Sequence, residues 1–196
     1  YVRRGGSLVA WRLPAGAPQA FRLIGAHTDS PNLRIKPRPD NAVAGVGRLG
    51  VEVYGGVLVN SWLDRDLGLA GRVALRDGAG VREAHFCVDE PVLRIPQLAI
   101  HLDRDVNDRG LVLNKQAHLA PIWGAAGPAL PTFRAFVAAQ VGASPDDVLG
   151  WDAMLHDTAP PALVGLDRAF VSAPRIDNQL SCHAAVRALA ASAAPD

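Results

Sequence analysis

The stretch Gly25-Ala26-His27-Thr28-Asp29-Ser30-Pro31 places a histidine two residues before an aspartate, at the end of an apolar run. The run from Ala20 to Ala26 is typical of a buried strand, which would open into a loop at His27. Side chains alternate between the faces of a strand, so His27 and Asp29 are expected to point the same way. That arrangement suits an imidazole that binds zinc through one nitrogen while the other nitrogen donates to a carboxylate.

The bare His-x-Asp pattern is weak by itself, because it recurs at His101-Leu102-Asp103 and most such pairs lie in surface loops. The longer string, with its Ser-Pro end and the following Arg34-Ile35-Lys36-Pro37, favours a functional site.

Composition limits the classes of protein to consider. A chain of 196 residues with 49% hydrophobic and 20% charged residues is typical of one large or two small globular domains. The formal net charge of +1 gives no reason to expect a nucleic acid or an anionic membrane as partner. The sequence contains neither a signal peptide nor a membrane-spanning apolar run, which favours a cytoplasmic protein. Because the chain opens on Tyr1 rather than Met, we expect it to be part of a longer protein.

Cys87 and Cys182 stand far apart, outside any Cys-x-x-Cys pair, so a disulfide framework is not expected. Cys182 precedes His183, but adjacent helical residues face apart, which argues against a nucleophilic pair.

Two proline-rich segments indicate crossings between domains. Ser7 to Leu13 and Ala20 to Ala26 are predicted as adjacent strands joined by the turn at 14–18. Pro31 to Asp40 follows with three prolines, and Pro160-Pro161 marks a second crossing. We therefore predict a β-rich insert at 38–165, between a first piece at 1–37 and a second at 166–196.

Periodicity predicts the elements around those crossings. A helix with a proline at its start is expected from Pro131 to Val141, and an alanine-rich helix from about Asn178 to Ser192. The predicted strands of the insert are Gly50–Tyr54, Gly71–Arg76, Glu83–Val88 and Val148–His156.

A second candidate site is Arg175-Ile176-Asp177-Asn178, where an apolar strand gives way to the last helix. Asp177 could bridge two divalent cations, as a two-metal hydrolase requires. The alternative is a helix N-cap, and both hold if Asn178 is the cap and Asp177 the ligand. Trp62 with Asp64-Arg65-Asp66 is either a salt-bridged turn or an interface anchor. His101, in an apolar run, would ordinarily be a core or interface residue.

Several further strings stand in a fixed order with the two candidate sites. The ordered set is Gly25-Ala26-His27-Thr28-Asp29-Ser30-Pro31, Val53-Tyr54-Gly55-Gly56, Trp62-Leu63-Asp64-Arg65-Asp66-Leu67, Ala70-Gly71-Arg72-Val73, Arg94-Ile95-Pro96, Ala99-Ile100-His101-Leu102, Asn107, Asn114-Lys115 and Arg175-Ile176-Asp177-Asn178. Taken in order, these strings resemble the M18 metallopeptidases, the aspartyl aminopeptidase family, and the resemblance covers nearly the whole chain.

The resemblance implies a zinc-dependent hydrolase that removes N-terminal residues, preferably acidic ones, from peptides. The implied fold is an α/β zinc-exopeptidase core, incomplete here, with an inserted β-rich dimerisation domain. His27 would bind zinc, Asp29 would orient His27 in the catalytic site, and Asp177 would bridge two zinc ions. His101 would be either a metal ligand or a residue lent to a neighbouring subunit's site. Homo-oligomers from dimer to dodecamer are expected. Cobalt or manganese would also suit these ligands.

One departure from the family is severe. The family completes its site downstream with a Glu-Glu pair, an Asp and a His, whereas this chain has only Glu52, Glu83 and Glu90, all inside the insert. We therefore expect the N-terminal half of such an enzyme, inactive alone because a carboxylate base is missing. A non-catalytic assembly module and another two-metal hydrolase, such as a deacetylase, are the alternatives.

Overall fold

The computed structural model describes residues 1–14, 16–17 and 19–192. The strands are β1 (Val2–Arg4), β2 (Ser7–Val9), β3 (Asn32–Val43), β4 (Val46–Tyr54), β5 (Leu67–Asp77), β6 (Gly80–Leu93), β7 (Ile122–Ala125), β8 (Val148–Asp157), β9 (Ala162–Val164) and β10 (Phe170–Ser172). The helices are α1 (Val106–Arg109), α2 (Phe133–Gln140) and α3 (Ile176–Ala191), with short 3-10 turns at Val59–Trp62 and Pro145–Asp147. None of the helices in this described part is long and apolar enough to cross a membrane.

The chain divides into two compact units. The first unit combines Tyr1–Ser30 with Pro160–Asp196, and the second is Pro31–Ala159. The second unit is continuous in sequence and interrupts the first. Its ends fall at residues 31 and 159, where the sequence indicated 38 and 165.

The second unit is built on a six-stranded antiparallel sheet in the order β6-β5-β8-β3-β4-β7. Side chains alternate along these strands as the period of two requires, with Leu33, Ile35, Leu49 and Val51 all buried. The strands predicted at Gly50–Tyr54, Gly71–Arg76, Glu83–Val88 and Val148–His156 lie within β4, β5, β6 and β8.

Helix α2 contributes an aromatic cluster to the core of this unit. Thr132 caps the helix by accepting a hydrogen bond from the amide of Ala135 at 3.2 Å. Phe133 is fully buried, and its ring lies 5.1 Å from that of Trp151 and 6.3 Å from that of Trp123. These tryptophans, with Trp62, pack against the core of their own unit.

Pro31 to Asp40 was predicted as a crossing, and this is wrong for most of its length, because β3 begins at Asn32. The pairing of β3 with β4 is irregular between Ile35 and Asp40, where two of the prolines lie. Proline donates no hydrogen bond, so a strand tolerates it where the ladder is interrupted.

The first unit contains two small hairpins and α3. β1 pairs with β2 and β9 with β10, each antiparallel. The buried strand predicted from Ala20 to Ala26 is wrong: the segment is irregular, and Phe21, Leu23 and Ile24 are 82%, 88% and 76% exposed. None of the described strands pairs with this segment. An apolar run forms a strand only where a neighbouring strand satisfies its backbone hydrogen bonds. The predicted turn at 14–18 includes two residues outside the description.

Candidate metal centre

His27 lies in an irregular segment of the first unit, and its two ring nitrogens face different partners. Nδ1 lies 2.9 Å from the backbone carbonyl oxygen of Asp29. A carbonyl oxygen can only accept a hydrogen bond, so Nδ1 carries a proton. Nε2 lies 3.2 Å from Oδ1 of Asp177. The segments that hold the two candidate ligands therefore meet although they are far apart in sequence, as the metal-site interpretation requires.

Two acceptors do not approach this closely unless something positive lies between them. With Nδ1 protonated, a neutral His27 would present a lone pair at Nε2 toward the Asp177 carboxylate. The contact is therefore favourable only when Nε2 also carries a proton or when a cation binds both atoms. Zinc binds imidazole nitrogen and carboxylate oxygen at about 2.0–2.2 Å, so tetrahedral ligands lie about 3.3–3.5 Å apart. The observed separation is close to that distance, and the donor set fits zinc.

The environment of His27 raises the pKa of its imidazole above the ordinary value. The largest cause is the hydrogen bond to the backbone of Asp29. Partial burial opposes the shift, and the negative charges of Asp177 and Asp29 add to it. The raised pKa of His27 favours the protonated imidazole, and a cation that binds Nε2 must displace that proton.

Asp29 approaches His27 through both its backbone and its carboxylate. Its carboxylate Oδ1 lies 3.6 Å from Nδ1, whereas its backbone carbonyl makes the 2.9 Å hydrogen bond. The residue fixes the imidazole through its main chain, because the irregular backbone turns the carbonyl toward the ring. The Asp29 carboxylate remains at ion-pair distance from the same nitrogen, so its expected part in orienting His27 stays a prediction.

The first turns of α3 hold the His27 segment in place. The side-chain amide of Gln179 donates to the carbonyl of Thr28 at 2.6 Å, and the Cys182 thiol donates to the carbonyl of His27 at 3.2 Å. The hydroxyl of Thr28 donates to the carbonyl of Gly6 at 2.8 Å. No sequence motif pointed to these roles for Gln179 and Cys182, although their spacing of three on a helix places them on one face.

Asp177 opens α3 with a backbone that is not helical. Asp177 and Asn178 both depart from helical angles, and the Asp177 side chain is 91% exposed. The amide oxygen of Asn178 is buried without a hydrogen-bond partner among the described residues, so the structure does not support the cap interpretation for it. Of the strands expected to precede the two candidate ligands, β10 (Phe170–Ser172) is present before Asp177 and pairs with β9, whereas the segment immediately before His27 is irregular.

The remaining candidates belong to the second unit. His101 is exposed and lies in a turn, not in a strand as its apolar neighbours suggested. The Asp-Arg-Asp run is tied by ion pairs to residues distant in sequence. Arg94 lies 3.6 Å from Asp64 and 2.6 Å from Asp66, and Arg65 pairs with Asp157. These pairs link separate segments of the second unit rather than closing a local turn.

Comparison with known proteins identifies the family of this chain. The family model described as aminopeptidase I zinc metalloprotease (M18) matches residues 1–196. A probable M18 family aminopeptidase 2 of Streptomyces avermitilis is 54% identical over 199 residues, covering 100% of this chain and 45% of the relative. The Mycobacterium tuberculosis protein of the same name is 48% identical, covering 97% of this chain and 45% of the relative. The chain thus spans about half the length of these curated relatives.

Solved structures give the same result. The mApe1 structure of Chaetomium thermophilum has a TM-score of 0.75 at 32% identity, covering 87% of this chain and 41% of that one. The Ape4 and Nbr1 complex gives a TM-score of 0.77 at 32% identity, covering 84% of this chain and 35% of that one. The chain belongs to the M18 family of zinc metalloproteases.

Proposed function

We propose that this chain is part of a zinc-dependent aminopeptidase that removes N-terminal residues, preferably acidic ones, from peptides. The observation that carries the proposal is the 3.2 Å approach of His27 Nε2 to the Asp177 carboxylate, with the other ring nitrogen held by a carbonyl. Family membership over the whole chain supports it, since that family is described as a zinc metalloprotease.

Each residue has a defined part in this proposal. His27 and Asp177 would be zinc ligands, and Asp177 would bridge two ions. Asp29 holds the imidazole in one orientation, while Gln179 and Cys182 fix the loop that carries it. Zinc, when bound, would supply the Lewis acid that polarises a peptide carbonyl. Cobalt or manganese would suit the same ligands.

These 196 residues contribute only part of a catalytic site. Their three glutamates, Glu52, Glu83 and Glu90, all lie in the second unit, and none follows Asp177. An aminopeptidase of this type needs a carboxylate that accepts a proton from water. We therefore propose that the chain alone does not turn over substrate.

The second unit (Pro31–Ala159) is proposed to be an assembly domain, giving a cytoplasmic homo-oligomer of between two and twelve copies. A yeast relative of 27% identity and TM-score 0.60 is described as a dodecamer. Around His101, Leu98, Ile100 and Leu102 are exposed, as apolar residues of an interface are in a single copy. His101 would then act at that interface or at a partner's site. The mass of the native protein in solution tests this proposal, and a monomer would contradict it.

The activity is tested on the protein expressed from its natural gene. Aspartyl and glutamyl arylamides should be hydrolysed faster than leucyl arylamide, and His27→Ala or Asp177→Asn should abolish turnover. His183→Ala is the matched control, because that histidine is exposed on α3 and should leave the rate unchanged. Metal-dependent turnover that survives His27→Ala would overturn the assignment. Turnover by the 196 residues alone would overturn the argument about the missing base.

A further inference from the structure

Three potential metal-ligating side chains, none of them assigned to the candidate centre above, meet on the second unit. Cys87 and Asp89 belong to β6, and His156 belongs to β8. The Cys87 thiol lies 3.3 Å from Asp89 Oδ1, and His156 Nε2 lies 3.0 Å from the same oxygen. The three potential ligand atoms all lie within 4.8 Å of one another.

Strand geometry places Cys87 and Asp89 together. They are two residues apart on β6 and share its outer face, whereas Phe86 and Val88 are buried on the opposite face. A β-strand thus presents a sulfur and a carboxylate side by side.

His156 reaches this pair because the strand between them carries a glycine. The sheet order is β6-β5-β8, and Gly68 of β5 pairs directly with His156. A Cβ atom at Gly68 would lie 2.7 Å from His156 Nε2 and would collide with the carbonyl of Val88. The absent side chain leaves the space through which the imidazole crosses β5 toward Asp89.

Packing fixes the position of the His156 imidazole, but its hydrogen bonds do not fix its tautomer. The His156 side chain is only 11% exposed, so its position is set by packing. Its Nδ1 is buried with no hydrogen-bond partner among the described residues. Because the tautomer of a histidine follows the hydrogen bond that its second nitrogen makes, Nε2 can either donate to Asp89 or offer a lone pair.

The spacing and the donor types match a tetrahedral cation. With metal bonds of about 2.3 Å to sulfur and about 2.0–2.2 Å to nitrogen and oxygen, neighbouring ligand atoms lie about 3.3–3.6 Å apart. The observed 3.3 Å between Cys87 and Asp89 lies in this range, and the 3.0 Å between His156 and Asp89 requires a small outward shift. The Cys87 sulfur and the His156 nitrogen lie within 4.8 Å of each other. A sulfur, an imidazole and one carboxylate favour zinc or cobalt over magnesium or calcium.

We propose that Cys87, Asp89 and His156 bind one thiophilic divalent cation of the zinc class, with water as a fourth ligand. Binding converts the Cys87 thiol to a thiolate and releases its proton to solvent, while the proton of His156 resides on Nδ1. The site ties the edge strand β6 to β8 across β5. It requires neither His27 nor Asp177, so it does not depend on the proposed aminopeptidase function.

Cobalt(II) titration of the metal-free, reduced 196-residue chain tests this assignment, because only a thiolate ligand gives a sulfur-to-cobalt charge-transfer band in the near ultraviolet. The chain has two cysteines, so the variants Cys87→Ser and Cys182→Ser form a matched pair. We expect the band in the native chain and in Cys182→Ser, and its loss in Cys87→Ser.

A second variant removes the imidazole without touching sulfur. His156→Asn should weaken cobalt binding at least tenfold while circular dichroism shows the fold retained. His27→Ala should leave the band unchanged. No band in the native chain, or a band that survives Cys87→Ser and disappears in Cys182→Ser, would overturn the proposal. So would unchanged affinity in a folded His156→Asn variant.

Discussion

Phe133 joins α2 to the sheet of the second unit, and its removal should be costly. The side chain is fully buried between the rings of Trp123, Phe136 and Trp151, at centroid distances of 6.3, 6.1 and 5.1 Å. Phe133→Ala should lower the free energy of unfolding by about 3–5 kcal/mol, through lost burial and the cavity left behind. Phe136→Ala is the matched control, because Phe136 is only partly buried and its loss should cost about 1–2 kcal/mol.

Urea unfolding followed by tryptophan fluorescence measures this difference. Three of the four tryptophans, Trp62, Trp123 and Trp151, lie in the second unit, so the signal reports that unit. The two units need not unfold together, so the midpoint is taken from this transition alone. Removing a buried phenylalanine from a rigid core leaves a cavity that lowers the free energy of unfolding. A loss below about 1 kcal/mol for Phe133→Ala, or equal losses for both variants, would therefore refute the assignment of Phe133 to a rigid core.

Two further predictions concern polar contacts. Gln179→Ala removes one hydrogen bond to the loop that carries the proposed zinc ligand, so zinc affinity in a Cys87→Ser background should fall about 3- to 10-fold. The same change at Gln140, exposed at the end of α2, should have no effect, and competition against a chromophoric chelator measures both. Asp152→Asn removes the carboxylate that lies 2.7 Å from Arg34 and 3.3 Å from Arg72, leaving Arg72 with only Glu83 as counter-charge, and should cost about 1 kcal/mol of unfolding free energy. That cost should shrink in molar salt, and a salt-independent cost would show that packing rather than charge is responsible.

The residues of the candidate metal centre can be recognised in the sequence from their types and their surroundings. His27 and Asp177 each stand at a break between apolar segments, and the ordered strings around them identify the family. The strings do not predict how His27 is oriented. Every residue has a backbone carbonyl, so the sequence cannot indicate which carbonyl accepts a hydrogen bond from the imidazole. Only the observed path of the chain at Asp29 selects the carbonyl over the carboxylate.

Local periodicity by itself determined β4, β5, β6, β8 and α2, because alternation of period two and of 3.6 is written into neighbouring residues. Only the tertiary structure decided that Ala20–Ala26 forms no strand and that Asn32–Val43 does, since a strand exists through its partners and those lie elsewhere in the chain. The same holds for the hydrogen bonds of Gln179 and Cys182 and for the meeting of Cys87 with His156 across Gly68. Those contacts join residues that are distant in sequence, so the local hydrophobic periodicity does not predict them.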